Sequence, residues 1–297
     1  MQSSVPSGAA PPSGPALAVD IGGTKMMVAI VDDDGTIGWR ERIDTMRTLD
    51  AEELFGPLAA LVGRALAATA VLDVGVGCGG PMEDRNETVS PLNIPAWRGF
   101  PLRRRLAELT GRPVAVDNDA KALALAEGRW GAAQQVDDYI SMVVSTGVGA
   151  GIVSDGRLID GRTANGGHIG HVVVVPGGRQ CVCGARGCLE AETSGAAIAA
   201  FTGRPAAEAG PDVVDRTGRL VGRAVGSVAN LLDLRLATVA GSVALGYGDP
   251  FFAAAQTELD AVACMPYARG CSIAASGLGS DGPILGAAAV AFRARRS

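Results

Sequence analysis

Short apolar runs alternate with amphipathic stretches along the chain, and that alternation predicts strands and helices in turn. Ala16–Asp20 is an apolar run closing on an aspartate and a Gly-Gly pair, the pattern of a buried strand entering a turn. Lys25–Val31 reads as its hairpin partner, Asp32–Gly35 as a turn and Ile37–Ile43 as a third strand. Asp50–Thr69 carries helical spacing, with Pro57 near its start, and Val71–Val76 is again apolar, stopping at Gly77-Cys78-Gly79-Gly80-Pro81. Arg98–Thr110 predicts a helix ending at Gly111, Val114–Val116 a strand, and Asp119 through Trp130 a helix with one buried face. Tyr139–Ser145, Ala150–Val153 and His171–Val175 read as strands. Past Cys188 the pattern turns helical, with its longest stretch at Asp212–Leu234. Leu236–Val239 and Ser272–Ala275 are late strands, and Pro283–Arg295 is an Ala-rich closing helix.

This order predicts an α/β protein built in two halves. The expected boundary lies near Val116–Asp117, giving a small α/β domain over 16–117 and a larger one over 118–280. The closing helix, 281–297, is expected to pack back on the first half, and Met1–Pro15, rich in Pro, Gly and Ser, to form a disordered arm. Strand, Gly-rich turn and hairpin occur at Val19–Val28 and again at Val143–Val153, a weak parallel between the halves. No tandem repeat of about 20–50 residues is visible, which argues against a solenoid.

Composition narrows the function. At 297 residues the chain buries a sizeable core without disulfide staples. Lys and Arg total 26 against 31 Asp and Glu, a net charge of −5, so nucleic acid is not the expected partner. The 3 Trp, 3 Tyr and 6 Phe are too few to favour a stacking platform for bases. No apolar run approaches the roughly 18–20 residues of a membrane span, and the N-terminus lacks a signal-peptide pattern. The expected location is therefore the reducing cytoplasm, where cysteines ligate metal or lie buried rather than pair. Glycine, at 42 residues, is in excess, as tight turns and close ligand approach require.

Four constellations carry chemistry. In Asp20-Ile21-Gly22-Gly23-Thr24-Lys25 a glycine turn frees backbone N–H groups for an anion, with a hydroxyl and a point charge beside it. Asp20 is placed to hold Mg²⁺ through its waters. The same spacing also suits an ordinary hairpin. Ser145-Thr146-Gly147-Val148-Gly149-Ala150-Gly151 is a second small-residue turn, and two such turns together suit a nucleotide's phosphates. Asp117-Asn118-Asp119 follows a strand and opens a helix: a carboxylate there suits a general base, and equally a plain helix cap. His171, Cys181, Cys183 and Cys188 bring an imidazole and three thiols together, a composition of closed structural zinc sites. Cys78, Cys264 and Cys271 read as buried apolar residues.

These segments resemble the ROK family of sugar kinases and sugar-responsive repressors. The resemblance runs from Ala16 onward. It rests on Asp20–Lys25, Pro91-Leu92-Asn93-Ile94, Val116–Ala120 and Ser145–Gly151. Its most specific part is Gly166-Gly167-His168-Ile169-Gly170-His171, followed by the run from Cys181 to Glu190. The resemblance implies a two-domain actin-like ATPase (ribonuclease H-like) fold with a cleft between the domains. It implies an ATP-dependent hexose kinase acting at the 6-hydroxyl, with ATP, Mg²⁺ and a structural Zn²⁺. By position, Asp119 matches the family's catalytic base. Gly80, Asn93, Asn118, His171 and Glu190 match sugar contacts. Asp20, Gly22, Gly23, Thr24 and Lys25 match the first phosphate loop, Thr146, Gly147 and Gly149 the second, and Gly241 the adenosine loop.

The chain departs from the family at three places. His168 stands where the family's kinases usually carry a sugar-binding Glu, Gly79-Gly80-Pro81 replaces the usual Pro-Gly order, and Ser242 takes a frequent glycine position. The sugar therefore stays open between glucose or a related hexose and N-acetylmannosamine or N-acetylglucosamine, and a sugar-binding protein with little or no turnover is a further alternative. A homodimer or homotetramer is implied. A repressor is disfavoured, since only 19 residues, mostly Pro, Gly, Ser and Ala, precede Asp20.

Overall fold

The computed structural model describes residues 12–296. Most of the expected disordered arm, residues 1–11, lies outside the described residues.

Two five-stranded sheets share one topology. The first contains β1 (Ala16–Ile21), β2 (Lys25–Val31), β3 (Ile37–Asp44), β4 (Val74–Cys78) and β7 (Val114–Asn118), in the order β3-β2-β1-β4-β7. Helix α1 (Ala51–Ala68), the short pair β5 (Met82–Glu83) and β6 (Thr88–Val89), and α2 (Leu102–Thr110) fill its crossovers. After α3 (Asp119–Trp130) come β8 (Tyr139–Val144), β9 (Val148–Ser154) and β10 (Arg157–Leu158). Then follow α4 (Leu189–Thr193), α5 (Gly195–Thr202), α6 (Pro211–Leu232), β11 (Leu236–Ala240), α7 (Ser242–Tyr247), α8 (Asp249–Val262) and β12 (Ser272–Ala275). The second sheet is ordered β10-β9-β8-β11-β12. In each sheet an antiparallel hairpin, β1–β2 or β8–β9, adjoins two further parallel strands, so the weak parallel read between Val19–Val28 and Val143–Val153 is a repeat of the whole sheet.

Local chemistry sets the element ends. Asp50 caps α1, its carboxylate accepting from the Glu52 and Glu53 N–H groups at 2.8 and 3.0 Å. Helix α2 starts at Leu102, four residues later than the sequence pattern suggests. Pro101 biases the residue before it away from helical backbone, and Gly99 adopts φ 59°. Arg98, freed from the helix, donates to the carbonyls of Pro91, Ile94 and Trp97 at 2.7–3.0 Å.

Two other expectations are corrected. His171–Val175 forms no strand: a single 3₁₀ turn covers Ile169–His171, and the segment makes one isolated bridge, Val173 to Cys188. The bend round the Cys/His cluster prevents an extended ladder, leaving Val172 and Val173 exposed. Cys78 and Cys271 are buried, whereas Cys264 is exposed, its thiol donating to the Ala261 carbonyl in the turn after α8.

Helix α9 (Gly282–Ala294) returns to the first sheet. Its small buried face, Ala287, Ala288 and Ala291 with Ile284 and Phe292, meets Ala16, Ala18, Ala29 and Val31. Small residues on both surfaces let backbone approach backbone, most closely at Gly75 of β4, where a Cβ would overlap the Ala287 carbonyl oxygen. Just beyond the helix, the Arg295 side chain is 5% exposed and donates to both carboxylate oxygens of Asp73 (2.6 and 2.8 Å) and to the Gly14 carbonyl (2.8 Å). The Gly14 N–H donates to Asp33 at 2.7 Å. The arm read as disordered up to Pro15 is thus tied down by Gly14.

Helix α3 packs on α9 on one side and on β8 and β9 on the other, so it is shared by the two sheets. Gly75→Ala should push α9 off β4 and cost about 1–3 kcal/mol, the usual range for overpacking, read as a lowered urea midpoint. Gly63→Ala in α1, where the added methyl meets nothing within 4 Å, should be neutral or gain up to about 1 kcal/mol. Equal effects at the two positions would remove the packing argument.

Candidate active site

Parallel strands end together, so β1, β4 and β7 deliver their carboxyl ends to one edge of the first sheet. The register pairs Asp20 with Gly77 and Gly77 with Asp117, and Ile21 with Cys78 and Cys78 with Asn118. Asp119 follows at the first turn of α3. The capping role that competed for this aspartate belongs to Asn118, whose side-chain oxygen accepts from the Ala120 N–H at 3.1 Å. Asp119 also accepts from that N–H at 2.8 Å, and its carboxylate opens to solvent between the sheets.

The two glycine turns face this edge. The first is closed by Gly22 N–H to Lys25 carbonyl (3.0 Å) and buttressed by the Thr45 hydroxyl on the Gly22 carbonyl (2.7 Å). In the second, Ser145 N–H donates to the Gly147 carbonyl (2.9 Å). Among the described residues, the backbone N–H groups of Gly23, Thr24, Thr146 and Gly147 find no acceptor. Gly23, Thr24 and Thr146 line one cavity of about 580 Å³, together with Asn93, Ile94 and the Thr45–Leu49 segment. Unpaired N–H groups facing a cavity suit an anion such as a phosphate chain. The Ser145 hydroxyl lies 3.0 Å from that of Ser242, which joins the second turn to the Gly241 loop. Lys25 is exposed at the start of β2, and Gly149 packs on Ala120 at the foot of α3.

The remaining candidates gather beside Asp119. Asn93 backs onto Gly23, and the Asn118 amide and the His168 ring face Gly80. Glu190, on α4, accepts from the Val148 N–H at 2.9 Å and presses against Gly147, where any side chain would strike its carboxylate. His168 and His171 stack with centroids 6.2 Å apart. Thus Gly80, Asn93, Asn118, Asp119, His168 and Glu190 converge with both turns. Sequence reasoning missed the lining at Thr45 and Thr48, which sit in a segment without a motif. It also missed Lys121, two residues beyond Asp119 and buried.

Enclosure sets the electrostatics. Burial and the neighbouring Asp119 charge push the Asp20 carboxyl up to about 7, against the pull of Lys25. Crowding by protein also raises Asp119, although its tip is open to the cleft, opposed by the Ala120 N–H and by His168. Burial, then the charge of His171, lowers His168, while Asp119 raises it.

The ligand atoms of His171, Cys181, Cys183 and Cys188 all lie within 4.8 Å of one another, and no disulfide joins the thiols. Cys183 and Cys188 sulfurs are 3.7 Å apart, and Cys181 sulfur is 3.6 Å from His171 Nδ1. A tetrahedron with Zn–S near 2.3 Å and Zn–N near 2.1 Å has edges of about 3.5–3.8 Å, so this donor set fits zinc. Behind it, the buried Glu192 carboxylate accepts from the Arg179 N–H (2.7 Å) and pairs with the Arg179 and Arg216 guanidiniums. That fastens α4, and with it Glu190, to α6.

Two like-built sheets, a glycine turn on each, and a carboxylate between them make this an actin-like ATPase fold with a site of the sugar-kinase type. The chain belongs to the ROK family, which its residues 16–294 match. It is 34% identical over 291 residues to an N-acetylmannosamine kinase of Escherichia fergusonii, covering 93% of this chain and 97% of that one. A Thermotoga maritima glucokinase is 38% identical over 187 residues, 62% of this chain and 59% of that protein. The crystal structure of a ROK family glucokinase from Streptomyces griseus, in complex with glucose and AMPPNP, superposes with a TM-score of 0.80 at 30% identity. That match covers 94% of this chain and 100% of the other. No helix among the described residues is long and apolar enough to cross a membrane.

Asp20 holds its proton more tightly folded than unfolded. Its contribution to stability is therefore fully present below its ordinary 3.8 and is lost as pH rises to about 7. Asp20→Asn removes that titration. In magnesium-free buffer the variant should gain stability relative to the parent as pH rises across this window, read as the difference in urea midpoints. A difference flat with pH would show that Asp20 ionises in the fold as it does in the open chain.

Proposed function

We propose that this protein transfers the γ-phosphoryl group of ATP to the 6-hydroxyl of a hexose, with Asp119 as general base. The observation that carries the reading is the set of unpaired N–H groups at Gly23, Thr24, Thr146 and Gly147, three of them on one cavity shared with Asn93. Phosphoryl transfer needs positioning and charge neutralisation more than covalent help. Gly22, Gly23, Thr24 and Lys25 hold the phosphates from one side, and Thr146, Gly147 and Gly149 from the other, with Gly241 beside the adenosine. Asp20 anchors the nucleotide's Mg²⁺, which neutralises charge on the phosphates. Asp119 takes the proton of the sugar hydroxyl, the freed oxygen bonds to the γ-phosphorus, and the bond to the β-phosphate oxygen breaks, releasing ADP.

Gly80, Asn93, Asn118, His168, His171 and Glu190 hold the sugar. A raised carboxyl suits the base, since a proton acceptor works best with its pKa near the operating pH. The lobes 16–117 with 281–297, and 118–280, close on the sugar and exclude water, the competing acceptor. His171, Cys181, Cys183 and Cys188 hold Zn²⁺, whose full ligand set leaves it a structural role, keeping the Glu190 segment rigid.

An N-acetylated amino sugar is the second reading. A relative 34% identical over 291 residues is an N-acetylmannosamine kinase, and His168 offers an N–H donor where a carboxylate would only accept. A coupled ADP assay with glucose, mannose, N-acetylmannosamine and N-acetylglucosamine separates the two. In it, Asp119→Asn should lower turnover by about 10²–10⁴-fold with sugar binding retained in calorimetry. Turnover unchanged by the substitution would end the assignment of Asp119. For the metal, elemental analysis should find about one zinc per chain, lost in Cys183→Ser together with a rise in sugar KM. Full sugar affinity in a zinc-free preparation would remove the scaffold.

A further inference from the structure

The segment from Asp160 to His168 is bonded at two places to elements outside it, to α3 and α9 at its start and to β5 further on. At its start, Lys121 of α3 is 1% exposed. Its ammonium donates to Asp160 (2.8 Å) and to the Ala164 carbonyl (3.0 Å) and lies 2.9 Å from Asp117, one acceptor for each N–H. Asp117 is itself buried and also accepts from the Asn118 N–H at 2.8 Å. Arg293 of α9 pairs with Asp160 and lies 3.4 Å from Asp117. Further on, Asn165 exchanges two hydrogen bonds with the Met82 backbone: Met82 N–H to Oδ1 at 3.1 Å, and Nδ2–H to the Met82 carbonyl at 2.9 Å. Met82 is two residues past Gly80, and Asn165 three before His168.

We propose that Lys121, Asp160 and Asn165 are positioning residues that set the sugar-facing His168 against Asp119 and Gly80. The inference rests on the kinase reading for its substrate. Two cations and two carboxylates balance in this cluster, and a buried ammonium stripped of an acceptor is costly. The first turn of α3, which carries Asp119, and the start of the His168 segment therefore share one anchor. The segment has no strand ladder of its own beyond β10, so these bonds define its path. Gly166 N–H to the Asp160 carbonyl, at 2.8 Å, folds it into a compact loop between the two ties.

Steady-state kinetics and hydrogen exchange on the full chain test this. Asp160 is 41% exposed in its side chain, so Asp160→Asn should fold. Asp160→Asn and Asn165→Ala should each raise the sugar KM about ten-fold, the scale of one charge-assisted or bidentate hydrogen bond. The kcat and the ATP KM should stay within about two-fold, because no group on the phosphates is touched. Asp160→Glu, which keeps the charge, should recover most of the sugar affinity. Amides over 161–168 should exchange faster in both disruptive variants, with the rest of the chain unchanged. An unchanged sugar KM, or equal losses in kcat and both KM values, would overturn the proposal. If the parent phosphorylates no sugar on the panel, the kinase reading fails by itself. The exchange arm then decides the tie: unchanged protection over 161–168 overturns it, and local loss of protection supports it.

Discussion

The structure depends on the parallel alignment of β1, β4 and β7, which forces their carboxyl ends onto a single edge. Asp20 and Asp119 meet there because strands next to one another can end nowhere else. There burial and the charge of Asp119 raise the proton affinity of Asp20, and an incoming cation finds a place already in need of positive charge. The free N–H groups of the glycine turns add the complementary need for an anion. A metal-bound phosphate chain answers both.

The second half repeats the device with a different emphasis. Its hairpin, β8–β9, offers the other glycine turn, while the excursion after β10 builds a platform beside it. The platform has two independent fastenings. One is the close cluster of His171, Cys181, Cys183 and Cys188; the other is Glu192 between Arg179 and Arg216, which joins α4 to α6. Glu190 lies between them and accepts from the Val148 N–H, which ties the platform to the turn.

Much of this was legible because periodicity and turn chemistry agree. The apolar runs at Ala16–Asp20 and Tyr139–Ser145 mark central strands, and the glycines after them mark the turns. Misreadings arose where a tertiary contact overrides local pattern. Arg98–Phe100 looks helical, but Pro101 and the three carbonyls held by Arg98 divert the chain. His171–Val175 has strand-like side chains, yet the wrap towards three thiols leaves it a single bridge, Val173 to Cys188. Asp119 was ambiguous between cap and base because an aspartate at a strand-to-helix junction suits both; in the fold Asn118 takes the cap position, and the two side chains share the Ala120 N–H. Lys121 was invisible as a site residue, since a lysine on a helix reads as solvated until its three acceptors, two of them from distant loops, are seen.

The contact of Arg295 with Gly14 brings the two extremities of the described backbone side by side, across the same sheet edge and through the same guanidinium. The described backbone is therefore nearly a closed ring. A short peptide joining these points, with the chain reopened at an outward turn such as Asp155–Gly156, would preserve every strand neighbour while changing the order in which the halves emerge from the ribosome. Connectivity in this fold is separable from architecture, and the order of synthesis is a variable that can be altered without redesigning the site.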